Sequence, residues 1–168
     1  MQRIITLDRQ WSARLAIPRE ARLLRSLALV AAHSGDSLLW LSSAATALIW
    51  GDATWRDFGE RVLVGTLVAG TVITALKWLF RRRRPPGEGS GFYTRFDRHA
   101  FPSGHAGRSA CLTMLLAPLL PPWGFVLLAC WVGMVGLARV ALQVHFASDI
   151  VGGWAVGLLV GLALRLAF

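Results

Sequence analysis

Two histidines, one aspartate and a set of cations stand in three separated segments of an otherwise apolar chain. Pro102-Ser103-Gly104-His105 opens one apolar run, and Arg139, His145 and Asp149 follow at the end of the next. Upstream lies Lys77, then an arginine block from Arg81 to Arg84 that ends at Pro85. Positions i and i+4, such as His145 and Asp149, share one face of a helix and also meet across a loop that enters one. A carboxylate on one imidazole nitrogen fixes the tautomer and leaves the other nitrogen free to attack an electrophile. The plain alternative is a histidine capped by an aspartate for stability. Ionisable groups at the end of a membrane span are costly and functional by default, which favours the chemical reading.

His105 follows Ser103 and Gly104 where a helix is expected to begin. Backbone N–H groups at a helix N-terminus attract anions, and glycine lets the anion come close. A histidine there suits protonation of a departing oxygen; an interfacial histidine is the plainer account. Lys77, Arg84 and Arg139 supply positive charge, arginine as a planar fork for two oxygens and lysine as a point charge. The arginine block also reads as a topology signal, because basic clusters mark cytoplasmic loops. Arg108, one turn beyond His105, either faces the same site or reaches for the interface. The histidines lack metal-ligand spacing and the carboxylates do not cluster, so neither metal nor cofactor is expected.

The elements that must position these groups follow from hydropathy. Hydrophobic residues make up 55% of the 168 and charged residues 16%, with a mean hydropathy of +0.52. That composition excludes an ordinary water-soluble globule and points to an all-α, polytopic membrane helix bundle. About five transmembrane helices are expected: Ser37 to Trp50, Val62 to Leu79, Ser103 to Pro118, Trp123 to Leu142, and Ile150 to the C-terminus. The polar stretch from Gly51 to Glu60 reads as a turn and residues 80–101 as one long polar loop. Residues 1–34 read as an interfacial N-terminal segment, with an amphipathic helix ended by Pro18 and a second short segment from Arg22 to His33. The whole chain, residues 1–168, then forms one domain with a helical core over 35–168. Counting crossings from Asp36 puts Lys77, the long loop, Ser103 to His105, Arg139, His145 and Asp149 on one membrane face.

The net charge of +9 is carried almost wholly by arginine, which suits lipid headgroups or phosphate better than nucleic acid, since the arginines gather at span ends. Cys111 and Cys130 both fall in apolar runs and read as buried, inert thiols. Gly153, Gly157 and Gly161, four residues apart, make a flat stripe for packing within the bundle or for a homodimer face. The polar, arginine-studded N-terminus shows no cleavable signal peptide.

Lys77 with Arg84-Pro85 seven residues on, Pro102-Ser103-Gly104-His105, and Arg139 with His145 and Asp149 resemble the three ordered motifs of the type 2 phosphatidic acid phosphatase (PAP2) superfamily, which also includes the vanadium haloperoxidases. Ala138 stands where the family usually has serine. The resemblance covers nearly half the chain, about residues 77–150, and its size and hydropathy are similar to the bacterial membrane lipid phosphatases. It implies that His145 is the nucleophile of a phosphohistidine intermediate, oriented by Asp149, and that His105 is the general acid. It further implies that Lys77, Arg84, Ser103, Gly104 and Arg139 bind phosphate, with no metal. The implied substrates are lipid phosphates such as undecaprenyl diphosphate, phosphatidylglycerophosphate and phosphatidate, in a bacterial inner membrane. A non-catalytic lipid-binding or transport protein, or a vanadate-binding haloperoxidase-like protein, would use the same pocket. The positive-inside rule places the arginine-rich face in the cytoplasm, but phosphate binding would account for the same arginines on either side.

Overall fold

The computed structural model describes residues 2–86 and 97–168, with side chains from Thr6 onward. Its regular structure is helical: α1 (Gln2–Arg14), α2 (Arg22–His33), α3 (Ser37–Trp50), α4 (Ala53–Phe80), α5 (Gly104–Leu116), α6 (Pro122–Ala141) and α7 (Ala147–Arg165), with a 3₁₀ turn over Ala117–Leu119 between α5 and α6. Pro122 starts α6 at the position where a missing N–H costs nothing. Among the described residues, three helices, α4, α6 and α7, are long and apolar enough to cross a membrane. At 14 and 13 residues, α3 and α5 are shorter than the roughly 20 needed for a full crossing.

One boundary differs from expectation. The polar residues after Gly51 are not a turn; they form the first turns of the 28-residue α4. Asp52 caps this helix by accepting the Trp55 N–H at 3.0 Å, and Arg61 bonds Asp57 one turn away at 2.9 Å. A cap and an i,i+4 ion pair let polar residues continue a helix beyond its apolar stretch.

Helix α5 lies at the centre, between α4, α6 and α7, and most of its residues from Ala106 to Leu116 are buried. Val62 and Ala44 meet Leu112 and Leu116 on one side of it, and Ala69 and Ile73 meet Cys111 and Leu115 on another. Leucines and valines on the outer faces, among them Leu38, Val126, Leu127 and Leu159, are more than half exposed. Such an envelope would be an aggregation surface in water and is the expected boundary with lipid. The protein is an integral membrane protein. Cys130 shares that outer face and is exposed, contrary to the expectation of two buried thiols; Cys111 is buried.

The glycine stripe of α7 is occupied within the chain. Gly153, Gly157 and Gly161 lie against Ser103, Gly107 and Cys111 of the α5 segment, so closely that a Cβ at 157 would stand 2.0 Å from the Gly107 carbonyl oxygen. The face weighed for packing or for a homodimer is therefore covered by α5. Gly157→Ala should force the two backbones apart and destabilise the protein by about 1–3 kcal/mol, the range for overpacking. Gly133→Ala, where a Cβ meets nothing within 4 Å, should leave the thermal midpoint in detergent unchanged or slightly raised.

Candidate active site

Helix ends and the loops between them converge at one end of the bundle. Lys77 lies buried in the last turn of α4, and the chain leaves that helix through Arg81 in a left-handed conformation. Arg83 then pairs with His99 as an antiparallel bridge, and the Ala100 N–H donates to the Arg82 carbonyl at 2.8 Å. This brings the returning chain to Ser103, whose N–H donates to the Asp149 carbonyl at 2.9 Å. On the far side, the Arg139 carbonyl accepts the Val144 and His145 N–H groups at 3.1 and 3.3 Å. Backbone bonds thus tie together the three segments that spacing alone had left apart.

His145 is 1% exposed and Asp149 fully buried. Arg84 Nη1 lies 3.2 Å from His145 Nε2 and also donates to the Val144 carbonyl at 3.0 Å. A guanidinium only donates, so Nε2 is the acceptor and the neutral ring carries its proton on Nδ1. Nδ1 faces Asp149 Oδ2 across 3.5 Å, longer than a hydrogen bond. Burial, followed by the charges of Arg84, Arg139 and Lys77, holds this imidazole well below its ordinary range. It is a neutral base among cations, with Nε2 toward them. Asp149 does not depend on the histidine for its place: Oδ2 accepts the Phe146 N–H and Oδ1 accepts from Arg82, each at 2.8 Å.

His105 has a partner that spacing did not reveal. Its Nε2 lies 2.5 Å from Asp36 Oδ1, and Asp36 Oδ2 lies 2.8 Å from His33 Nδ1. The short loop before α3 is fixed for this purpose. The Trp40 and Trp131 indoles both donate to Ser34 at 2.9 Å, and Arg108 Nη1 donates to the Gly35 carbonyl at 2.6 Å. Arg108 therefore faces the site. A cavity of about 760 Å³ opens beside His105; its lining mixes charged and polar residues, among them Asp36, Lys77, Asp97 and Arg108, with apolar Leu38, Ile73 and Trp78.

Between Lys77 and Arg84 sits the carboxylate of Asp97. Its Oδ2 accepts from Lys77 Nζ and from Arg84 Nη2, the latter at 2.8 Å, and its carbonyl accepts from Arg84 Nε at 3.0 Å. An anionic oxygen thus bridges the two cations assigned to phosphate. The Ser103 hydroxyl is wholly buried and, among the described residues, has no hydrogen-bond partner, as befits a donor to a ligand oxygen. All eight site residues expected from the sequence lie in this region. Arg82, Asp97 and Asp36 were missed: Arg82 was one of four adjacent arginines, Asp97 sits in the long loop five residues before Pro102, and Asp36 lies far from any motif. Arg98 lines the cavity, whereas Arg95 and the loop glycines 87, 89 and 91 lie outside the described residues.

Residues 60–168 match the sequence model of the PAP2 superfamily. The chain belongs to that superfamily. A protein named lipid A 1-phosphatase in Porphyromonas gingivalis is 34% identical over 111 residues, covering 64% of this chain and 23% of that protein. Another of the same name in Rhizobium etli is 31% identical over 108 residues, covering 59% and 45%. The chain thus matches less than half the length of either relative. Among solved structures, a transmembrane PAP2-type phosphatidylglycerolphosphate phosphatase from Bacillus subtilis superposes with a TM-score of 0.79 at 23% identity, covering 99% of this chain and 87% of that one. The PAP2 fold therefore extends over the N-terminal helices that precede the matched residues.

A phosphate bound by Lys77 and Arg84 would have to displace the Asp97 carboxylate that both now hold. Asp97→Asn should therefore tighten orthovanadate binding by about tenfold, roughly the worth of one charge-assisted hydrogen bond. Calorimetric titration measures this, and unchanged or weaker binding would show that Asp97 does not compete for the site.

Proposed function

We propose that this protein is a lipid phosphatase, hydrolysing a phosphate ester or diphosphate on a membrane lipid without a metal. One observation carries the reading: Arg84 touches His145 Nε2 while sharing with Lys77 a single anionic oxygen. A phosphoryl group in place of that carboxylate would have the imidazole beside its phosphorus and two cations on its oxygens.

In the first step His145 Nε2 attacks phosphorus, the phosphorus–oxygen bond to the lipid breaks, and His105 gives its proton to the leaving oxygen. The proton on His145 Nδ1 remains, and the Asp149 carboxylate stabilises the positive ring that results. Lys77, Arg84, Arg139, the Ser103 hydroxyl and the N-terminal amides of α5 take the charge of the transition state. In the second step water attacks the phosphohistidine, His105 takes its proton, and the nitrogen–phosphorus bond breaks to release phosphate. Asp36 Oδ1, 2.5 Å from His105 Nε2, orients the ring for both proton transfers.

The cavity's mixed lining supports a lipid substrate, since Lys77, Arg98 and Arg108 offer charge to a headgroup and Leu38, Ile73 and Trp78 offer apolar surface to a chain. Undecaprenyl diphosphate, phosphatidylglycerophosphate and phosphatidate belong in the substrate panel, and the two curated relatives add lipid A 1-phosphate. A bacterial inner membrane, where such lipids occur, is the proposed location.

Purified protein should release phosphate from at least one member of that panel. His145→Ala, still folded, should lose this release by at least about 10⁴-fold, as expected for removal of a nucleophile; retained turnover would dismiss His145 from the role. The pH profile of kcat/KM should be a bell. His145 must be neutral, and its protonation is already suppressed, so the acidic limb lies below pH 6.5; the basic limb reports loss of the His105 proton. A flat profile from pH 5 to 8 would contradict the pairing.

A further inference from the structure

Helix α1 meets the bundle through polar residues. Leu7 and Trp11, four residues apart, are exposed, as on the other outer faces, whereas Ser12 is buried and Asp8 partly so. The inward face thus presents an aspartate and a serine, one turn apart, to the rest of the chain.

Both polar residues reach the loop that carries His145. The Ser12 hydroxyl accepts the Ala147 N–H at 2.9 Å, and the Ser12 carbonyl accepts Gln143 Nε2 at 2.8 Å. Asp8 Oδ1 accepts the Ser148 N–H at 3.1 Å, and Oδ2 accepts the Ser148 hydroxyl at 2.5 Å. Asp8 Oδ2 also accepts Arg82 Nη2 at 2.6 Å, while the other arm of the same guanidinium holds Asp149 Oδ1 at 2.8 Å. Arg82 further lies over the Phe146 ring, 4.5 Å from its centroid. The loop needs such bracing, because Gln143 sits at φ 55°, in the left-handed region, which costs a non-glycine residue about 1–3 kcal/mol.

We propose that Asp8 and Arg82 are positioning residues for the His145–Asp149 pair, so that α1 belongs to the catalytic apparatus. This rests on the nucleophilic role of His145 given above. Arg82 is the physical link. It fixes the Asp149 oxygen that does not face His145, and its planar fork is oriented by Asp8 on the opposite side. The carboxylate of Asp8 is suited to this. Burial raises its pKa, but the hydrogen bonds from Arg82 and Ser148 outweigh that and hold it below the ordinary value, so it stays charged. Arg82 touches neither His145 nor the oxygen site between Lys77 and Arg84; its effect passes through Asp149.

The test compares Arg82→Gln, Arg82→Lys, Asp8→Asn and the Arg82→Gln/Asp8→Asn pair in detergent, measuring thermal midpoint, kcat and KM on a short-chain lipid phosphate. Arg82→Gln should lower kcat by about 10- to 100-fold, the scale of a misplaced catalytic group, with KM within about twofold. Arg82→Lys keeps the charge without the fork and should recover part of the loss. Asp8→Asn should lower kcat less, and the double variant should lose no more than Arg82→Gln alone, since both act on one chain of contacts. Arg9→Gln, on the exposed side of α1, controls for charge at the membrane and should keep the original kcat. If Arg82→Gln fails to fold, Asp8→Asn carries the test by itself. Wild-type kcat in folded Asp8→Asn beside an inactive His145→Ala overturns the positioning role alone. A loss confined to KM, or additive losses in the double variant, overturns it equally. Retained turnover in His145→Ala overturns both readings.

Discussion

The Arg84 guanidinium joins the two requirements that the site must meet at once. One arm reaches His145 Nε2 and the Val144 carbonyl; the other, with Lys77, holds an anionic oxygen. A cation placed there stabilises a dianionic phosphoryl group and also discourages protonation of the imidazole that would attack it. In the proposed reaction, the same charge that would bind the electrophile would keep His145 in its reactive form. Such an arrangement is costly to bury, and the neighbouring carboxylates Asp97 and Asp149 offset the cost when no phosphate is present.

The bundle makes this convergence possible through one tightly packed seam. Glycines on α7 admit α5 to backbone contact, and this places the Ser103 N–H on the Asp149 carbonyl. Dispersion between close backbones can drive association in lipid, where no hydrophobic effect acts between helices. Around this seam α4 contributes Lys77, the segment that follows it contributes the arginine block, α6 contributes Arg139, and the loop before α3 contributes Asp36. From outside the core, α1 braces the loop that carries His145.

Hydropathy and spacing made much of this legible. The three motif segments, their shared membrane face and most helix boundaries could be read from residue types, because apolar runs and fixed intervals are local properties. The start of α4 could not: polar residues from Ala53 to Arg61 look like a loop until the Asp52 cap and the Asp57–Arg61 pair are seen. The partners of the catalytic groups were also hidden. Asp36 meets His105 across 69 residues and Asp8 meets Arg82 across 74, and no local pattern encodes such pairings. Among four consecutive arginines, side-chain direction alone separates Arg84 and Arg82, which serve the site, from their neighbours. The glycine stripe was visible as a packing surface, but its partner helix was not.

The account stands on covalent attack by His145 Nε2. Rapid acid-free quenching of the enzyme during turnover of a ³²P-labelled lipid phosphate, followed by peptide mapping, tests that step directly. The prediction is label on the peptide containing His145, stable to alkali and lost in acid, as a phosphoramidate requires. Turnover with no labelled enzyme, or label on a different residue, would contradict it.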